Sequence, residues 1–291
     1  MRKLVFKVIP FVVYVLLSFG LAAQTNEPKI IRFTSPHTSF PDTGRKNGHM
    51  YHDVLYDAAT HYSDSSVILI VPPDFSAKEK VDLVFWFHGW SNDIDSSNIN
   101  FELGKQFIAS HRNAILVFAE TTKRAPDSYG GKLEQPGMFS LLVDDILNKL
   151  KHQKVIASHA RAGNITLAGH SGGYRVIAYI LQNGKLPVHE VYLFDALYSE
   201  QPKFMNWIKE DPKNIFIDLF TDVGGTDSAS YEFMDQMQKE NIPFIRKEEA
   251  TITADEIKNN RIIFIHSLHA HNDIIKNPDN FEMFLTLKNG K

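Results

Sequence analysis

Short runs of apolar residues, continuous rather than alternating, recur along most of this chain and set its fold class before any single residue does. SVILIV (66–71), VDLVFWF (81–87), AILVFA (114–119), ITLA (165–168), EVYLF (190–194), NIFIDLF (214–220) and RIIFI (261–265) are rich in β-branched and aromatic residues. Strands of that kind are buried on both faces. Between them lie segments with apolar residues at helical spacing, at 101–109, 139–150, 174–181 and 231–240, with a closing one at 281–288. Strands alternating with helices imply an α/β fold, a mostly parallel central sheet with helices on both faces. No internal repeat, low-complexity tract or linker divides the 291 residues, so a single domain over 24–291 is expected. Its first part, 24–64, is polar and holds Pro28, Pro36, Pro41, Gly44 and Gly48, which reads as an irregular lead-in.

The N-terminus differs in kind. Arg2, Lys3 and Lys7 precede an apolar run from Val8 to Leu17, followed by the small residues Ser18, Gly20, Ala22 and Ala23. A basic start, a short apolar core interrupted by Pro10 and a small-residue exit read as a secretory signal peptide over 1–23. Its removal takes away three cations and no acid, so a chain with a formal net charge of −3 becomes more acidic still. That balance, with no basic stripe interleaved with aromatics, argues against a nucleic-acid partner. With no cysteine, the chain has neither disulfides nor the cleavage-site thiol of a lipid anchor. A secreted or periplasmic protein with no stable membrane insertion after signal cleavage is expected.

The chemistry concentrates at Gly169-His170-Ser171-Gly172-Gly173, which fits G-x-S-x-G between the strand at 165–168 and the helical segment at 174–181. A serine on so tight a strand-to-helix turn is strained and exposes its Oγ at the top of the sheet. The bland reading is a glycine-rich turn whose serine only caps the helix. Upstream, the strand at 81–87 runs into His88-Gly89-Trp90, and downstream His266, His269 and His271 follow the last strand.

In these three features, taken in order, the chain resembles the α/β-hydrolase superfamily over nearly all of 66–288. The resemblance implies a nucleophile, an acid and a histidine in that chain order. Ser171 would be the nucleophile, and His271, in the loop before the closing helix, the base. His269 is the second choice, and His266 reads as a strand-end residue beside Phe264. The cluster of His266, His269, His271 and Asp273 also admits a metal reading, but it lacks the stiff helical spacing of a catalytic zinc site, and no metal or other cofactor is expected. The acid stays open between Asp195, directly after the strand at 190–194, and Asp222 or Asp227, after the next strand. An aspartate beside an apolar strand is expensive to bury without a partner, which favours Asp195. The oxyanion hole would use the backbone N–H of Gly172 and that of Trp90, with Ser91 beside it. His170 reads as packed, and Arg175 as either a local ion pair or an anion contact. The lead-in and the loop at 121–135, with Tyr129, would shape the pocket.

The function so implied is an exported serine hydrolase that forms an acyl-enzyme on Ser171, most naturally on a small-molecule or polymer-linked carboxyl ester. A peptidase or amidase of the same fold, a non-catalytic envelope binding protein and a metal hydrolase are the alternatives.

Overall fold

The computed structural model describes residues 27–289, so the segment 1–23, expected to be a signal peptide, lies outside the described residues. The strands, in chain order, are β1 (Lys29–Thr34), β2 (His49–Tyr51), β3 (Val54–Tyr56), β4 (Ser66–Val71), β5 (Lys80–Phe87), β6 (Ala114–Ala119), β7 (Arg161–His170), β8 (Glu190–Phe194), β9 (Ile215–Thr221), β10 (Ile245–Glu248) and β11 (Ile262–Ser267). The helices are α1 (Ala58–His61), α2 (Ile94–Asn100), α3 (Leu103–Ala109), α4 (Met138–His152), α5 (Tyr174–Asn183), α6 (Gln201–Glu210), α7 (Asp227–Lys239), α8 (Ala254–Asn259) and α9 (Asn280–Leu287).

Nine strands form one sheet in the order β1-β4-β6-β5-β7-β8-β9-β11-β10. β1 and β6 both run antiparallel to β4, and every other pairing is parallel. The mostly parallel sheet expected from the sequence is therefore present. Side chains alternate between two cores. Leu83, Phe85 and Phe87 of β5 pack with α4, α5, α6 and α7 on one face. Val84 and Trp86 pack with α2, α3, α8 and α9 on the other. Each aromatic ring so buried contributes about 1.5–3 kcal/mol. At the end of the sheet where β8 begins, Glu190 receives a two-pronged bond from the buried Arg112 guanidinium, at 2.7 and 2.8 Å, and a third bond from Thr166.

This order places the site. The chain leaves β5 for its neighbour β6 on one side and later returns as β7 on the other. A crevice opens at the carboxyl ends of strands where a doubly wound sheet reverses like this. β5 delivers His88-Gly89-Trp90 to that edge and β7 delivers Ser171.

Several elements differ from the expected ones. Residues 24–64, expected to be irregular, begin with β1, an edge strand, and also hold the β2–β3 hairpin and α1. In KIIRFT only Ile31 is buried, so the strand lacks the apolar run that marks the central ones. The segment expected as one helix over 101–109 is preceded by α2, whose polar sequence IDSSNIN hides it. Asp93 caps this helix by accepting the Ser96 N–H at 2.7 Å. α6, α8 and β10 were not evident either, since β10 reads IRKE, an edge strand held by backbone pairing to β11.

Candidate active site

Three adjacent strands of the sheet end in a backbone that only local structure can hold. Ser91, just past β5, has φ 54°; Ser171, directly after β7, has φ 53°; and Asp195, directly after β8, has φ 45°. Non-glycine residues there carry about 1–3 kcal/mol of strain each. At Ser171 this is the sharp turn that the sequence implied, with β7 before it and α5 entered through one 3-10 turn behind it. Gly89 explains how the two turns approach so closely. A Cβ on it would lie 2.5 Å from the Ser171 Cβ, so any larger residue would displace the serine.

Asp195 is completely buried (0% exposed), and its carboxylate accepts the His271 Nδ1–H at 2.6 Å. The rest of its surface is covered by the Thr221 hydroxyl at 2.8 Å, the Thr221 N–H at 3.2 Å and the Thr226 hydroxyl. Burial pushes this carboxyl up, but the bonds from His271, Thr226 and Thr221 outweigh it and hold it below the usual carboxylate range. Gly224 closes the cage: a Cβ there would sit 1.4 Å from Asp195 Oδ2.

The other two aspartates weighed for this place are not at His271. Asp222 is 59% exposed and accepts from His266 Nε2 at 2.8 Å, while Glu248 takes His266 Nδ1 at 2.6 Å. Asp227 is the first residue of α7, where a helix N-terminus favours an acid. His269 points toward Glu249, 3.8 Å away. His266, which lies on β11 rather than after the last strand, and His269 and His271 in the loop behind it thus face three separate sets of carboxylates, which removes the shared geometry that the metal reading needed. Arg175 is tied to Glu134 by two bonds, at 2.6 and 3.1 Å, so of its two readings the local ion pair holds. Tyr129 donates to Asp42 at 2.8 Å and stacks under Arg45, which joins the 121–135 loop to the lead-in.

Several residues have roles that the sequence did not disclose. His170 is packed, as expected, but its Nε2–H also donates to the His271 carbonyl at 3.0 Å, and the two rings lie 4.4 Å apart. Burial, and then the neighbouring His271, push the His170 ring down to about 3, so it stays neutral while it anchors the loop. His88 is buried with Nε2 2.7 Å from Glu120 and Nδ1 2.8 Å from the Gly89 carbonyl. Burial disfavours charge on this ring, yet Glu120 outweighs it and the pKa is raised. With an acceptor beside each nitrogen, His88 is favoured as the imidazolium, and it ties the turn after β5 to the end of β6. Tyr198 donates its hydroxyl to the Gly224 carbonyl at 2.6 Å. Its pKa is pushed up to about 12 by burial and by the Asp195 charge, against a hydrogen bond with the Ser171 hydroxyl. The spacing of residues 195–198 offered no sign of that contact.

A polar cleft of about 720 Å³ opens beside these groups, lined by Trp90, Ser91, Asn92, Asn100, Asn272 and Asp273 among others. It lies between the turn after β5 and the loop of His271. Two further cavities, of about 470 and 680 Å³, are lined by residues such as His189 and Asp211 at the opposite edge of the sheet, away from this chemistry.

No family model matches the chain, and no curated protein matches it in sequence. Solved structures do match. The fluorophosphonate-binding serine hydrolase FphF of Staphylococcus aureus aligns with 12% identity over 90% of this chain and 99% of its own, with a TM-score of 0.53. A ferulic acid esterase aligns with 11% identity over 90% and 99%, with a TM-score of 0.54. A feruloyl esterase module from Clostridium thermocellum, complexed with sinapinate, aligns with 10% identity over 92% and 90%, with a TM-score of 0.53. At these identities the likeness defines the fold. The chain is a doubly wound α/β protein with a sharp strand-to-helix turn at its switch point. More narrowly, its fold is that of the α/β-hydrolases.

Proposed function

We propose that this protein is a serine hydrolase of carboxyl esters in which Ser171, His271 and Asp195 act together. The observation that supports the reading best is the 2.6 Å bond from His271 Nδ1 to the caged Asp195, one strand away from the strained Ser171. A buried carboxylate on Nδ1 fixes the tautomer that leaves Nε2 free as a base, and it steadies the imidazolium once a proton arrives. Ser171 Oγ then bonds to the acyl carbon as its proton passes to His271. The C–O bond to the alcohol breaks, and the alcohol leaves with that proton. Water repeats the sequence on the acyl-enzyme, freeing the acid and restoring the serine. The tetrahedral oxyanion of each half is held by the N–H groups of Gly172 and Trp90. Among the described residues nothing accepts the backbone N–H of Trp90, which leaves it available for that oxyanion.

The cleft between Trp90 and Asn272 receives the ester, and its amide and hydroxyl lining suits a polar substrate over a long alkyl chain. Export through the 1–23 segment belongs to the same proposal, since an ester hydrolase without a cofactor can work outside the cell. The test is a fluorophosphonate probe with peptide mapping. The proposal expects covalent modification of Ser171 and loss of both labelling and p-nitrophenyl acetate turnover in Ser171→Ala. An unmodified Ser171 in folded protein that binds a partner without turnover would overturn it in favour of a binding protein.

A further inference from the structure

The 121–135 loop reaches the reacting end of the site through one side chain. The Trp90 indole N–H donates to Ser128 Oγ at 2.6 Å. Both partners press on the residue after the nucleophile. A Cβ built on Gly172 would lie 2.6 Å from Trp90 Cδ1, 2.7 Å from Ser128 Oγ and 3.0 Å from Trp90 Nε1. Ser128 therefore sits against Gly172, one of the two amides assigned to the oxyanion. It is held there by the side chain of Trp90, which supplies the other. A small cavity lined by Gly89, Ser128, Gly172 and Gly173, among others, adjoins it.

The protonation pattern follows from the partners. An indole N–H can only donate, so Ser128 Oγ must accept on this bond, and its own O–H is left to point elsewhere. Among the described residues that proton has no acceptor. A hydroxyl with its oxygen fixed by the indole and its proton taken by no described protein group, beside a developing negative charge, is a ready donor. Trp90 is in turn braced edge-on by Tyr51 of the β2–β3 hairpin, at 5.4 Å between rings, so the donor is positioned before substrate arrives.

We infer that the Ser128 hydroxyl is a third donor of the oxyanion hole, oriented by the Trp90 indole and added to the two backbone N–H groups. This rests on the ester-hydrolase reading above. Donors of this kind act on the transition state and hardly on ground-state binding, so their loss falls on kcat. Ser128→Ala is expected to lower kcat about 10- to 100-fold with KM changed less than about threefold. The Ki of a trifluoromethyl ketone, which forms an oxyanion adduct on Ser171, should rise by the same factor as kcat/KM falls. Ser128→Cys, close in size but a weaker donor, should fall between wild type and Ser128→Ala, and it serves where Ser128→Ala does not fold. A packing role alone would leave Ki uncoupled from kcat/KM. Wild-type kcat and Ki in folded Ser128→Ala, with Ser171→Ala inactive, would overturn this inference and leave the ester reading standing. Activity surviving in Ser171→Ala would overturn the ester reading itself.

Discussion

The two edges of the sheet both bury charge, and they do it for opposite ends. At the amino edge, Arg112 and Glu190 meet through two parallel bonds, with Tyr192 and Thr166 completing the carboxylate, and no residue there carries a function we can name. At the carboxyl edge Asp195 is caged as fully, yet its partner His271 is part-exposed, and the backbone beneath is bent at Ser91, Ser171 and Asp195. A buried pair satisfied on every side only holds the fold, and removing one member leaves a stranded charge. A buried carboxylate that spends one bond on a part-exposed imidazole fixes that ring's tautomer, which is what the proposed function uses. The difference separates an ion pair closed on every side from a buried carboxylate whose partner ring stays part-exposed.

That comparison can be broken in order of effect. Asp195→Asn should lower ester kcat about 10⁴-fold while the fold persists, because the amide stabilises the wrong His271 tautomer. Asp222→Asn and Asp227→Asn should stay within about twofold of wild type. A large loss in either of these, measured by steady-state kinetics, would move the acid away from Asp195. Arg112→Ala should do the reverse, costing about 3–5 kcal/mol of stability in denaturant melts and leaving kcat per folded molecule unchanged.

The smallest effect is a pH dependence with two signs. The Asp195 carboxyl is depressed in the folded state, so its contribution is present above about pH 4 and is lost as pH falls through the folded value. His88 is raised by Glu120, so its contribution is full below about pH 6.5 and fades as pH rises through its folded value. Urea melts between about pH 6 and 9 should show stability declining on the alkaline side in wild type. The slope should flatten in His88→Gln, and an unchanged slope there would remove the imidazolium from the account.

Much of this was legible in the sequence where the signal was local. The apolar runs fixed the central strands because both faces are covered. Gly169 to Gly173 marked the turn because glycine is what so close an approach tolerates. Asp195 was favoured by one physical argument, that an aspartate beside an apolar strand needs a partner, and His271 Nδ1 lies 2.6 Å from its carboxylate. What stayed hidden depends on the third dimension. Thr221, Thr226 and Gly224 cage Asp195 from a different strand exit, and nothing in their spacing announces it. His88 looked like part of a turn because Glu120 lies a whole crossover away. α2 and β10 were missed because their polar or charged sequences are set by capping and edge pairing.

The central claim, that the strained carboxyl edge carries out acyl transfer through Ser171, is tested most directly by trapping the acyl-enzyme. Wild-type protein mixed rapidly with p-nitrophenyl acetate, quenched in acid and digested, should show a burst of p-nitrophenol and an acetyl group on the peptide that carries Ser171. No burst and no acetyl on that peptide, in a preparation that still turns over the ester, would contradict it.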